Sequence, residues 1–196
     1  MIRPCRIPGI FAHKTGRRGG DLRTLLSFSS VLSTQMPCPC PADASRTFIE
    51  VSSIVSSQTI DDIGSSAPQA VTFDTVFKGD GFATPTLPGS VITIPTTGDY
   101  SILYSVQCLG ISGNTKVDLF LRVNGSPVAN SSSRSSLKNN DEIVLTCSYL
   151  LPLSAGDTLE LVATSDTQPF DILVVPSPIP SIPLAPGVIF SVIKLR

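Results

Sequence analysis

A chain of 196 residues, 41% hydrophobic and only 15% charged, has room for one domain plus an extension and enough apolar surface to bury a core, which excludes global disorder. Its net charge of −1 is unevenly spread: residues 1–36 carry Arg3, Arg6, Lys14, Arg17, Arg18 and Arg23 against Asp21, leaving eight basic and fourteen acidic groups in residues 37–196. That weakly acidic body offers no electrostatic footprint for nucleic acid or an anionic membrane, and no apolar run approaches the roughly 20 residues of a membrane-spanning helix.

With no Trp, 17 Pro, 14 Gly and many β-branched residues, the composition predicts an all-β chain. Residues 1–45 read as irregular, from "GRRGG" to the Pro-Cys repeats. The leader's short "LLSFSSVL" run lacks a clear small-residue cleavage site, while its Arg- and Ser-rich, acid-poor make-up is that of a transit peptide. Met36 as the true start is a third reading, and the three stay open. The basic charges read as a solvated tail, with contact to a polyanion as the alternative. In "MPCPCPA" a single residue separates Cys38 from Cys40, too tight for a zinc clip, and no second pair or His follows. "RTFIEVSSIVSS" predicts a short strand before a Ser/Asp/Gly loop. The organisation expected is an irregular N-terminal arm over 1–66 and a head over 67–196.

From Ala67 onward, apolar runs of five to nine residues alternate with turn chemistry, the pattern of a sandwich or barrel. "AVTFDTVF" leads through "KGDG" to "GSVITIP". "TTGD" then opens "YSILYSVQCLGI", with Tyr100, Ile102, Tyr104, Val106 and Cys108 on one face. In "KVDLFLRV", Val117, Leu119, Leu121 and Val123 alternate with Lys116, Asp118, Phe120 and Arg122, as in a half-buried strand. Asn124-Gly125 marks a tight turn, and "NSSSRSSLKNND" reads as a polar loop. "EIVLTCSYLLPL" places Ile143, Leu145, Cys147, Tyr149 and Leu151 together. After "SAGD", "TLELVA" and "FDILVV", the Pro-studded "PSPIPSIPLAP" is an edge or loop. "GVIFSVIKL" is apolar on both faces and predicts a central strand at an interface. Cys108 and Cys147 fall on apolar strand faces, either as two buried free thiols or, in an oxidising compartment, as a cross-strand disulfide.

Catalytic chemistry is scarce. The single histidine, His13, lies in the leader, so residues 37–196 hold neither a Ser-His-Asp nor a Cys-His arrangement nor a His-ligated metal. Asp61-Asp62 and Asp141-Glu142 read as solvated loop acids, and Asp80, Asp99 and Asp157 as turn residues bonding their own backbone rather than calcium ligands. Asn124-Gly125-Ser126 and Asn130-Ser131-Ser132 match the glycosylation pattern, which matters only in a eukaryotic secretory route. No enzyme activity, metal or cofactor is expected.

From about Val71 the ordered segments "AVTFDTVFKGDG", "ITIPTTGDYSILYSVQ", "DLFLRVNGSPV", "SYLLPLSAGDTLELV" and "GVIFSVIKL" resemble the jelly roll shared by the complement-q globular head and the tumour-necrosis-factor ligands. The resemblance covers roughly 125 residues and is closest to microbial and viral members: the C-terminal domain of the collagen-like Bacillus exosporium glycoprotein and virion proteins of large DNA viruses and phages. The chain departs from the animal pattern by lacking Phe-x-Gly in its last strand, and from the stalked members by having no Gly-X-Y tract.

The resemblance implies a single antiparallel jelly-roll β-sandwich of two sheets, assembled as a homotrimer, with a pentamer as the other symmetry a jelly roll can serve. In the family the sheet carrying these strands faces the trimer axis. That places Leu103, Ser105, Val144, Leu150, Ile189 and Ile193 at the oligomer interface, where they mix small and apolar groups; scattered exposed apolar residues are the alternative. The expected function is a non-enzymatic structural module on a virion or spore surface, with the arm contacting neighbouring coat or capsid proteins. The alternative is a secreted complement-like or lectin-like head that reads a glycan or protein through loops 110–115, 126–142 and 164–170.

Overall fold

The structure, a computed structural model, describes residues 47–61, 68–177 and 179–196. The expected arm lies outside these up to residue 46, as do His13, Met36, Cys5, Cys38 and Cys40. Within the described residues thirteen strands follow in order: β1 (Phe48–Ser53), β2 (Gln58–Ile60), β3 (Gln69–Ala70), β4 (Thr75–Asp80), β5 (Ile92–Thr93), β6 (Gly98–Gly110), β7 (Asn114–Val123), β8 (Ser126–Pro127), β9 (Ser133–Lys138), β10 (Glu142–Leu153), β11 (Thr158–Ser165), β12 (Phe170–Ile172) and β13 (Val188–Lys194).

The strands form two antiparallel sheets. The larger runs β2-β12-β6-β13-β1-β4, with β10 on the other side of β6; the smaller is built on β11 and β7, with β3 and β5 pairing β11 and β8 and β9 pairing β7. Long strands pass between the sheets: β6 in the larger, β7 and β9 in the smaller, β10 in the larger, β11 in the smaller, β12 and β13 in the larger. This is the chain course of a jelly roll. The fold is therefore an all-β, two-sheet antiparallel jelly-roll sandwich.

Period-2 alternation creates the core. Tyr100, Ile102, Tyr104, Val106 and Cys108 of β6 are each at most 1% exposed, facing Val117, Leu119 and Leu121 of β7 and Leu159 and Leu161 of β11. The Tyr104 hydroxyl donates to the Leu119 carbonyl at 3.2 Å and that of Tyr100 to the Thr96 carbonyl at 2.6 Å, so both buried phenols are satisfied. Phe73 stacks on Phe190 with centroids 5.4 Å apart. The glycine of "TTGDY" has a packing reason: a Cβ on Gly98 would lie 2.3 Å from the Arg196 carbonyl oxygen. The Asn124-Gly125 turn has φ of 50° and 77°, matching a type I′ hairpin.

Four elements differ from expectation. The sandwich does not begin at residue 67: β1 pairs with both β13 and β4, and β2 with β12, because Ile49, Val51 and Ile60, at most 2% exposed, complete the core. "AVTFDTVF" is two strands in different sheets, β3 and β4, with Asp74 between them. "GSVITIP" contributes the two residues of β5 and an isolated bridge from Gly89 to Phe73 rather than a full strand. Part of the expected polar loop is β9, anchored by Leu137 at 1% exposure and by Arg134, whose guanidinium bonds Asp118 of β7 at 2.7 and 2.8 Å.

Asp74 breaks its run by capping another loop. Its carboxylate accepts from the amides of Ile54 and Val55 at 2.9 Å and of Ser56 at 3.3 Å, and from the hydroxyls of Ser53 and Thr75. Partial burial pushes its pKa up, but the three amides and the Thr75 hydroxyl outweigh this and hold it below the ordinary value. Because the folded-state pKa is lowered, the stabilisation is present above the unfolded value of about 3.9 and is lost as pH falls through the folded one. Asp74→Ala should cost about 1–3 kcal/mol at neutral pH, and the gap to wild type should narrow below about pH 4. Urea unfolding at pH 7 and pH 3 checks both; an equal gap at the two values would count against the assignment.

Candidate self-association face

The two outer faces of the sandwich differ in chemistry. The smaller sheet turns Lys116, Asp118, Arg122, Arg134, Lys138 and Glu160 outward, with Arg122 bonded to Glu160 at 2.9 and 3.1 Å and Arg134 to Asp118. Cross-strand ion pairs of this kind belong to a solvated surface. Across β10, β6 and β13 the larger sheet turns out mainly aliphatic and hydroxyl groups instead, its charges lying towards the margins at Glu142 and at Glu50, Lys78 and Asp80 of β1 and β4.

Register places those groups in transverse rows across β10, β6, β13 and β1. One row reads Leu150, Ser101, Ile193, Phe48; the next Ser148, Leu103, Ser191, Glu50; the third Thr146, Ser105, Ile189, Ser52. Val144 opposite Gln107 continues the face. All six residues singled out from the sequence, Leu103, Ser105, Val144, Leu150, Ile189 and Ile193, thus lie on one surface. Val144 and Leu150 are 58% and 70% exposed, and Leu103 and Ile193 are 39% and 44%, whereas Ser105 and Ile189 are half-buried.

The hydroxyls on this face partly satisfy one another. Thr146 Oγ1 donates to Ser105 Oγ at 3.0 Å, and Ser191 Oγ to Glu50 Oε2 at 3.0 Å. Glu50 is the one carboxylate within the three rows. Leu195, 56% exposed, extends the patch: it lines a cavity of about 420 Å³ with Leu150, Leu151, Pro152, Asp99 and Arg196, closed on one side by the Arg196–Asp99 ion pair at 2.7 Å.

Sequence patterning does not reach Phe48 and Glu50, because β1 reads as part of the arm. Their alternation with Ile49 and Val51 is the signal that could have found them. β10 is hydrogen-bonded within its sheet only to β6, so it forms an edge. Its inward-facing Ile143, Leu145, Cys147, Tyr149 and Leu151 are accordingly half-buried rather than buried.

The disulfide alternative fails on register. Both thiols are free. Cys147 lies opposite Tyr104 and Cys108 opposite Ile143, a four-residue offset of about 13 Å along the ladder, which a disulfide does not span. Burial pushes the Cys108 thiol up to about 12. Cys147 differs: partial burial raises its pKa, but hydrogen bonds from Ser133, Tyr149 and Tyr104 outweigh that and hold it below the ordinary value.

The loops proposed for ligand reading separate into two ends. Segments 110–114, 139–141 and 166–169 cluster where Gly110 meets Asn140 and Asp141, and where Thr115 and Ser112 bond Asp166 and Gln168. Residues 124–127 belong to the opposite end, where Asn124 Nδ2 donates to Asp157 at 2.8 Å. The span 126–142 is therefore not one apical loop: β8 and β9 both run within it. Thr47 and Arg196 also lie at that opposite end, bonded through Lys194 and Asp99. Among the described residues no group of three or more His, Cys, Asp or Glu side chains could hold a metal ion, and no helix is long and apolar enough to cross a membrane.

Neither a protein-family model nor a curated protein matches the chain. Among solved structures, it is similar to the globular domain of zebrafish complement 1qA protein, with 14% identity over 76% of this chain and 98% of that one and a TM-score of 0.46. It is also similar to murine APRIL (12%, 76% and 99%, 0.49) and to Eiger TNF from S. frugiperda (14%, 78% and 94%, 0.47).

Proposed function

We propose that this chain is a non-enzymatic structural module: a jelly-roll head that self-associates through the outer face of its larger sheet and sits on the surface of a particle, either a virion or a spore coat. One observation carries the self-association. In a single sandwich, one outer face is laced with cross-strand ion pairs while the other presents Leu103, Val144, Leu150 and Ile193 among small hydroxyl residues. Depletion of charge with exposed aliphatic groups is the composition of an interface core rather than of a solvated face. A closed ring of three copies is the symmetry favoured by the resemblance of the ordered motifs, and five copies is the alternative.

The resemblance of segments such as "LRVNGSPVANSSSR" and "FSVIKL" to microbial and viral members of the jelly-roll family supports the particle reading. So does the entry of the preceding chain at Thr47, at the end away from the 110–114 and 166–169 loops: a tether would leave one end and expose the other. Light scattering on the full chain should give three times the mass of a single chain. Mass spectrometry of purified particles from the source should then find the chain as a stoichiometric component. A soluble secreted trimer absent from any particle would replace the coat reading with the binding-head one.

A further inference from the structure

The segment between β12 and β13 interrupts what is otherwise one strand. Both strands run antiparallel to β6 along the same side of it, Ile172 opposite Cys108 and Val188 opposite Val106. Between them, the chain leaves and returns at a single point: the Leu173 amide donates to the Gln107 carbonyl at 3.0 Å and the Gln107 amide to the Gly187 carbonyl at 2.8 Å. The whole of segment 173–187 is thus inserted at one rung of the ladder. It cannot leave inward, because Val106, Cys108, Ile172 and Val188 fill that side at 1% exposure or less. It departs beside the β1–β2 loop, the Gly187 amide donating to the Ser53 carbonyl at 2.9 Å and the Val174 amide to Ser57 Oγ at 3.0 Å. Leu173 lies on the outer side, where it shares a cavity of about 180 Å³ with Gln107 and Val144.

Its described residues are held by hydrogen bonds within the segment and to Ser57. Val175 and Ala185 exchange both backbone hydrogen bonds at 3.1 Å, the Ile182 amide donates to the Ile179 carbonyl at 3.0 Å, and the Val174 amide donates to Ser57 Oγ at 3.0 Å. Its tip carries Ile179, Ile182 and Leu184, which are 51%, 46% and 38% exposed. The sequence from Ile172 to Ile193 contains no charged residue, and 173–187 is punctuated by Pro176, Pro178, Pro180, Pro183 and Pro186. Proline removes the backbone donor and restricts the unfolded chain, so this hairpin can be desolvated with few unsatisfied amides and little ordering cost.

Area says what it meets. The rows from Val144 to Leu150 across β10, β6, β13 and β1 span about 20 Å by 14 Å, roughly 300 Å² in projection. Even doubled for side-chain relief, that falls short of the about 800 Å² per partner of a standard stable interface. A closed ring also needs two different complementary surfaces on each copy. The sheet face is one such surface, and the apolar hairpin, which leaves the sheet beside it at Gln107, is the other.

We infer that the 173–187 hairpin is a clasp that packs its Ile179, Ile182 and Leu184 tip onto the Leu103–Leu150–Ile193 face of a second copy. This rests on the self-association proposed above. The test uses the full chain. Substituting Ile179→Ser, Ile182→Ser and Leu184→Ser together should leave the β-sheet circular dichroism intact, because all three are exposed, while weakening association by roughly a hundredfold or more. With p-benzoylphenylalanine in place of Ile182, photo-crosslinking should join that residue to the 101–105 or 144–150 peptide of another copy. If the triple variant keeps the wild-type mass while Leu103→Asp dissociates, the clasp is overturned and the face survives. Crosslinks confined to the hairpin's own chain in an intact oligomer overturn it equally. A monomeric wild type overturns both.

Discussion

Leu103→Asp and Ile193→Asp should each reduce the proposed oligomer to single chains without unfolding the sandwich. Leu103 lies in the second row of the outer face between Ser148 and Ser191, and Ile193 in the first between Ser101 and Phe48. Both are about two-fifths exposed in the isolated chain, so an aspartate at either position stays hydrated in a monomer. In an assembled ring the same carboxylate loses its water without gaining a cation, a desolvation costing several kcal/mol per copy. Ser136→Asp, exposed on the outer face of the smaller sheet, is the control and should leave the mass unchanged. Light scattering and far-ultraviolet circular dichroism read the two properties separately. If both outer-face variants remain oligomeric, copies meet through some other surface.

Truncating Tyr104 should have the largest effect on stability. Its side chain is fully buried between the sheets, its hydroxyl donates to the Leu119 carbonyl, and its ring stacks against Tyr149 at 6.0 Å. Burial and the neighbouring Tyr149 and Cys147 push its ionisation far above the ordinary phenol range. Tyr104→Ala should cost about 3–5 kcal/mol, the range for deleting a large buried ring. Tyr104→Phe loses one buried hydrogen bond, about 0.5–1.5 kcal/mol. Urea unfolding at fixed protein concentration should rank wild type, Tyr104→Phe and Tyr104→Ala in that order. An alanine variant as stable as wild type would mean that β6 and β7 do not pack face to face at this point.

How much of this was legible depends on the strand. β6 and β7 each bury one side of a clean alternation, and the sequence alone assigns Tyr100, Tyr104, Val117 and Leu121 to the core. β9 offers no such signal: Leu137 is its one fully buried residue, and the rest is Ser, Arg and Lys, held by pairing with β7 and by the Arg134–Asp118 bridge. β1 alternates well but sits beyond a Ser- and Asp-rich stretch that reads as a boundary. Only its pairing with β13, the last strand of the chain, shows that it belongs to the head. Asp74 is apolar-run punctuation in the sequence and a loop anchor in space.

The candidate face shows the same division. Reading β6, β10 and β13 separately identifies which residues point away from the core, and all six share one surface. The rows that set Leu150 beside Ser101 and Ile193, the contribution of Phe48, and the exit of the Pro-rich hairpin at Gln107 come from pairing alone. So does the separation of Cys108 from Cys147, two inward-facing thiols on adjacent strands that are four residues out of register.

Sequence by itself therefore determined the fold class, the inward side of each long strand, the Asn124-Gly125 turn and the lack of histidine from residue 37 onward. Side-chain period and turn chemistry are local properties, written within a few residues. The tertiary structure alone decided partners, register and the surfaces that result. Backbone hydrogen bonds are the same at every residue but proline, so which strand lies beside which, and how far it slides, is settled by packing between residues far apart in the chain.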